Sequence, residues 1–202
     1  MSTHVEPEID TPAEATNTQP LSLAGLVATL GAQQGRPRLE QIYDWLESAE
    51  ISREDLEPYL GFKEGNYWRH RICRNEFAEM LVLCWRPGHK TPIHDHNGSH
   101  GVVRVHEGIM WETTFHFDVE KGLCYKSGQQ RSQGEVTGSD IPDIHQLGNP
   151  EVSGQDLITI HIYAPPLGVL KTYKVGSPVI DLYTPDESQT TNGPECAPTS
   201  AV

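Results

Sequence analysis

The stretch Pro92-Ile-His-Asp-His-Asn-Gly-Ser-His-Gly-Val-Val-Arg-Val-His-Glu-Gly108 decides how the rest of the chain is read. His94 and His96 stand two residues apart, a spacing that in an extended strand directs both imidazoles to one side. Two such nitrogens make half of a metal site. A third histidine, His145, follows in the segment Pro142-x2-His145-x3-Asn149.

Around this stretch the residue pattern is that of strands. From Tyr67 onward come WRHRICR, FAEMLVLCW, GVVRVHEG, MWETTFHFDV, GEVTGSD, DLITIHIYA and LKTYKV, separated by turn-forming Gly, Pro and Asn. Strands at this density with no helices between them predict an antiparallel sandwich or barrel. Before them, residues 19 to 60 read as helices. LSLAGLVATLGA is one, and Leu39, Ile42, Tyr43 and Leu46 fall at helical spacing in a second, with Pro37 near its first turn. A short third helix starts at Ser52, where Ser52-Arg-Glu-Asp55 permits reciprocal capping. These helices are expected to be a packing cap.

The ends are different. Residues 1–18 and 185–202 are rich in Thr, Glu, Pro, Ser and Asn and lack the apolar content to order themselves, so both are expected to be disordered tails. Between them, 19–184 is expected to be one domain, with a helical cap at 19–60 and a β-barrel at 61–184.

Composition narrows the function. A net charge of −13 argues against nucleic acid or an anionic membrane as partner, since both require a positive surface. No run approaches the roughly 18 apolar residues of a membrane span, and the acidic, polar N-terminus is unlike a signal peptide. A cytoplasmic protein acting on small molecules is expected. The four cysteines, at 73, 84, 124 and 196, have no CxxC spacing and read as packed or surface thiols, which disfavours a sulfur-rich metal site.

With its glycines included, the opening stretch reads Gly88-x5-His94-x-His96-x4-Gly101-x6-Gly108. Together with the His145 segment it resembles the two motifs of the cupin superfamily. That resemblance implies a mainly β fold, a double-stranded β-helix or jelly-roll barrel, here preceded by the helical cap. In the superfamily the first motif normally adds a Glu ligand, and the spacing puts Gly101 at that position. Three neutral imidazoles then replace the commoner mixed set. Imidazole suits iron, copper, nickel or zinc, and three protein ligands leave positions open.

CWRPGHKTPIHDHNGSHG, taken with ITIHIYAPPL, is similar to the cysteine dioxygenase family over roughly residues 60–180. The resemblance implies Fe(II) held by His94, His96 and His145, with both atoms of O2 added to a thiol to give a sulfinic acid. In Leu157-Ile-Thr-Ile-His-Ile-Tyr163, alternation puts Thr159, His161 and Tyr163 on one strand face. They stand where the family carries a Ser-His-Tyr relay, with Thr159 in place of the Ser. Some members join this Tyr to a cysteine whose position here is Gly101, so no thioether crosslink is expected.

The same resemblance places Arg69, in Tyr67-Trp68-Arg69-His70-Arg71, where the family's Arg meets the substrate carboxylate, a bidentate role suited to guanidinium. Relatives acting on 3-mercaptopropionate carry Gln there, which points this chain towards L-cysteine. Arg71 lies on the same strand face and remains an alternative. Tyr67, Trp85 as a pocket floor and His100 complete the expected substrate-binding set. Alternatives are a 3-mercaptopropionate or other small-thiol dioxygenase, a zinc or nickel cupin, and a metal-free binding cupin. A monomer or weak oligomer is expected.

Overall fold

The computed structural model describes residues 20–139, 143–185, 190–192 and 196. The N-terminal segment expected to be a tail and Pro142 lie outside them. No helix among the described residues is long and apolar enough to cross a membrane.

Three helices precede the strands, α1 (Leu23–Gly31), α2 (Leu39–Glu47) and α3 (Arg53–Leu56). Each begins where local chemistry satisfies the free N–H groups of a helix start. The Ser22 hydroxyl accepts from the Gly25 N–H in α1. In α3 the expected reciprocal cap is present: the Asp55 carboxylate accepts from the Ser52 N–H at 2.8 Å, and the Ser52 hydroxyl from the Asp55 N–H at 3.2 Å. Pro37 lies just ahead of α2 and not within its first turn.

Twelve strands follow: β1 (Trp68–Arg74), β2 (Glu79–Trp85), β3 (Ile93–Asp95), β4 (His100–Glu107), β5 (Ile109–Asp118), β6 (Gly122–Ser132), β7 (Val136–Ser139), β8 (Ile144–Gly148), β9 (Leu157–Ala164), β10 (Leu170–Tyr173), β11 (Ile180–Tyr183) and β12 (Thr190–Asn192). They form two six-stranded sheets, ordered β12-β1-β2-β9-β4-β7 and β11-β10-β3-β8-β5-β6. This is the expected jelly-roll barrel behind a small helical cap. Neighbours pair antiparallel except β12, which runs parallel to β1.

Strand β9 is buried along its whole length, which a sheet facing water on one side could not achieve. The cap explains it. Ile158, Ile160 and Ile162 share a core with Leu26, Leu30, Ile42, Leu46 and Leu56 of the helices. The opposite, alternate face looks into the barrel, where Leu81, Leu83, Trp85, Val103, Val105, Leu147 and Tyr163 pack between the sheets. The Arg104 guanidinium fastens cap to barrel by donating to the Leu46 carbonyl at 2.7 Å.

Two expectations need correction. Cys73 and Cys196 are not separate thiols but form a disulfide, while Cys84 and Cys124 are free. The pair is separated by 123 residues, so no local spacing announces it. Within the segment expected to be a C-terminal tail, Thr190–Asn192 add a strand to β1 and Cys196 is buried.

Candidate metal centre

The three histidines converge although they come from different strands. β3 pairs with β8 so that His94 stands opposite His145, and His96 follows at the turn after β3. Asp95, between the two motif histidines, makes that turn. Its carboxylate accepts from the Asn97 N–H at 2.9 Å and from the Tyr173 hydroxyl at 2.7 Å, while Asn97 takes a left-handed φ of 45°. All three imidazoles are buried, and their nearest ring nitrogens lie within 4.8 Å of one another.

Each ring has an acceptor behind it. His94 Nδ1 is 2.9 Å from the Pro92 carbonyl, His96 Nδ1 is 3.2 Å from Asp143 Oδ1, and His145 Nδ1 is 3.3 Å from Glu112 Oε1. The His94 and His145 contacts are hydrogen bonds, whereas His96 Nδ1 stands at ion-pair distance from Asp143 without hydrogen-bond geometry. With the proton on Nδ1 in His94 and His145, their Nε2 atoms present lone pairs inward, the arrangement that orients metal-binding histidines. The Nε2 atoms of His96 and His145 are buried with no hydrogen-bond partner among the described residues. Burial, reinforced by His145 and His96, holds the His94 imidazole well below its usual pKa, so it is neutral and able to ligate. The set fits a divalent first-row cation bound by three imidazoles.

Sequence reasoning missed Glu112 and Asp143. Burial works to raise the Glu112 carboxyl, but the His145 hydrogen bond and charge, with Arg131 and Thr137, outweigh it and hold the group below the usual carboxylate range. Met110, Glu112 and Thr114 share a face of β5, so a carboxylate beside the buried Met110 was the available signal.

A cavity reaches the cluster at His94. Its walls include Tyr67, Arg69, Leu83, Leu147, His161, Tyr163, Leu167, Tyr183 and Pro185. Arg69 lines it, whereas Arg71 faces a separate groove and donates to buried Glu79 at 3.2 Å. Glu79 also lies 3.8 Å from the Arg69 guanidinium, beyond hydrogen-bond reach, and accepts from the Leu167 N–H at 2.8 Å. The guanidinium of Arg69 makes no hydrogen bond among the described residues and so keeps its donors available to a ligand.

The polar face of β9 is present as expected. Thr159 Oγ1 lies 2.7 Å from His161 Nε2, and His161 Nδ1 lies 3.0 Å from Tyr163 Oη. Burial, with Arg69 next, depresses the His161 pKa strongly, and burial raises that of Tyr163 well above the ordinary phenol value. Both are neutral at physiological pH. A Cβ at Gly101 would meet Tyr163 Cε1 at 2.6 Å, so the absence of a side chain there lets the tyrosine ring lie against β4.

Two expected substrate contacts are placed elsewhere. His100 points to the cap: its Nε2 is 2.9 Å from the Pro37 carbonyl and its Nδ1 is 2.7 Å from the Arg36 guanidinium. Trp85 does not line the cavity. It lies behind it, tilted at 30° against the Tyr67 ring with 4.3 Å between centroids, and donates to Thr159 at 2.9 Å.

Comparison with known proteins bears on this geometry. A family model described as Cysteine dioxygenase type I matches residues 15–175. The chain is 26% identical over 162 residues to Cysteine dioxygenase type 1 of Danio rerio, covering 77% of this chain and 80% of that protein. Against the Homo sapiens protein of the same description it is 26% identical over 132 residues, covering 63% and 66%. Solved structures with similar folds include TT1209 from Thermus thermophilus, with TM-score 0.47, 17% identity, and coverage of 55% of this chain and 95% of that one. Another is a conserved protein with a double-stranded β-helix domain from Klebsiella pneumoniae, with TM-score 0.47, 15% identity, and coverage of 64% and 89%.

Proposed function

We infer that this chain, which belongs to the cysteine dioxygenase type I family, is an iron thiol dioxygenase that converts L-cysteine and O2 to cysteine sulfinic acid. The observation that carries the reading is the convergence on one cavity of buried His94, beside His96 and His145, with Arg69 and Tyr163. The overall change is R–SH + O2 → R–SO2H, so both oxygen atoms end on sulfur and no external reductant is required.

His94, His96 and His145 would hold Fe(II). Bound there, the ion would bring thiolate and O2 into adjacent positions and mediate an electron exchange that their spin states impede. The chain's own residues do the rest. Arg69 receives the substrate carboxylate through paired N–H donors and so fixes which end of the thiol faces the histidines. Leu83, Leu147 and Leu167 restrict water around the reacting sulfur. Tyr163, kept protonated by burial, offers a hydrogen bond to the oxygen or sulfur atoms beside the cluster. We place the enzyme in the cytoplasm on the strength of its acidic composition and small-molecule thiol substrate, a compartment in which a disulfide such as Cys73–Cys196 is uncommon.

The test is anaerobic Fe(II) loading followed by oxygen uptake and sulfinate detection with L-cysteine, 3-mercaptopropionate and cysteamine. L-Cysteine should show the highest kcat/KM, and Arg69→Ala should raise its KM. Higher efficiency with 3-mercaptopropionate would overturn the assignment of substrate from Arg69. Failure to take up iron would favour a non-catalytic binding protein. His94→Ala, His96→Ala and His145→Ala should each lose iron and turnover, and a variant retaining both would leave the ligand set.

A further inference from the structure

Behind Tyr163 the hydrogen bonds continue one residue further than the β9 pattern announces. Trp85 Nε1 donates to Thr159 Oγ1 at 2.9 Å, Thr159 Oγ1 lies 2.7 Å from His161 Nε2, and His161 Nδ1 lies 3.0 Å from Tyr163 Oη. The β2–β9 register makes this possible. Leu83 stands opposite Thr159 and Trp85 opposite Leu157, so the indole reaches diagonally to the threonine. Trp85 and Thr159 are fully inaccessible, and His161 and Tyr163 are 1% and 5% exposed.

The donor inventory of these groups permits one satisfied arrangement. An indole N–H only donates, so Thr159 Oγ1 accepts from Trp85. The single Thr159 proton then has His161 Nε2 as its acceptor. Were Nε2 protonated instead, Thr159 would accept twice and its own buried O–H would have no acceptor among the described residues, a situation folded proteins avoid. The proton of the neutral imidazole therefore sits on Nδ1 and is donated to Tyr163 Oη. Having accepted there, Tyr163 directs its own hydroxyl proton into the cavity.

We propose that Trp85 is a positioning residue which sets the direction of this chain, so that Tyr163 is held as a hydrogen-bond donor to the cavity and the chain is closed to proton export at its inner end. An indole N–H does not ionise in the range where proteins work, so no proton can pass from Tyr163 through His161 and Thr159 to solvent. The β9 residues thus form an orienting array and not a proton relay. A ligand atom placed beside Tyr163 must be an acceptor. The consequence for catalysis rests on the thiol dioxygenase reading; the bond direction itself does not.

The experiment is NMR of the full chain labelled with 15N-histidine and prepared without paramagnetic metal, with the His161 resonances assigned by their loss in His161→Gln. Wild type should show His161 protonated on Nδ1 and bare on Nε2. Thr159→Ser should keep that tautomer, whereas Trp85→Phe and Thr159→Val, their folding checked by unfolding midpoint and amide spectrum, should populate both tautomers. In iron-loaded protein Trp85→Phe should lower kcat and leave KM for L-cysteine near wild type. A wild-type His161 protonated on Nε2, or an unchanged tautomer in Trp85→Phe, overturns the proposal, with Thr159→Val serving as the control that the tautomer responds to loss of its direct partner. Absence of thiol oxidation with the Nδ1–H tautomer intact would count against the enzyme reading while supporting the bond direction.

Discussion

Glu112 shows how far a single residue's role can stand from its appearance in sequence. Its carboxylate lies 3.3 Å from His145 Nδ1 and is also reached by Arg131 and Thr137, which makes it an anchored acceptor behind a metal-binding ring. Glu112→Gln keeps the size and one acceptor but removes the charge, and should lower metal affinity by about 10–100-fold. Titration with Fe(II) or Zn(II) under anaerobic conditions measures this; wild-type affinity would reduce Glu112 to a packing role. The histidines themselves were legible because their spacing and flanking glycines are local. Glu112, Asp143 and the Glu79 carboxylate beside Arg69 were not, because their partners lie on other strands and only the pairing register brings them together. The contacts of His100 were not legible for the related reason that its neighbours, Arg36 and Pro37, belong to the helical cap.

At the scale of the element, β1, β2, β4, β5, β7, β9 and β10 were legible as strands, while β3, β6, β8, β11 and β12 were not. β2, β4, β5 and β9 are rich in β-branched, aromatic and leucine residues, whereas β1, Trp68–Arg74, stood out by its position between turn residues. β6 is largely exposed and polar over Tyr125–Ser132, and β3 has only three residues, so neither carries a periodic signal. The start of α3 was readable because capping is written within four residues. Its Asp55 carboxyl is held below the usual carboxylate range by the Ser52 N–H and then by the Ser52 hydroxyl. A pKa lowered on folding contributes stability that is complete above the unfolded value, near ~3.9, and is lost as pH falls through the folded value. Asp55→Asn should therefore lower the thermal midpoint near neutral pH and converge with wild type in strong acid. A gap between the two that persists unchanged into strong acid would show that the carboxylate charge is not what caps this helix.

Over the whole molecule, the C-terminal segment ties the two sheets together. It leaves the second sheet at Tyr183 in β11, rejoins the first as β12 with Thr190 opposite Arg69, and is fastened by Cys196 to Cys73 of β1. Tyr183 and Pro185 line the cavity on the way, so the strand bearing Arg69 and one wall of the site both border this strap. Its composition, poor in apolar residues, gave no hint of order, because the stabilisation comes from one cross-link and one short strand pairing. A disulfide closing so long a loop stabilises mainly by restricting the unfolded chain, typically by about 2–4 kcal/mol. Peptide mapping without reductant should recover Cys73 joined to Cys196, with Cys84 and Cys124 as thiols. Cys196→Ser should then lower the urea midpoint and steepen the slope, because the unfolded chain freed of its cross-link exposes more surface, and addition of reductant should bring wild type to the variant's midpoint and slope while leaving the variant where it was. Equal midpoints for the two proteins without reductant would mean that the strap is not covalently closed, and the wall at Tyr183 would then be held by the β10–β11 pairing alone.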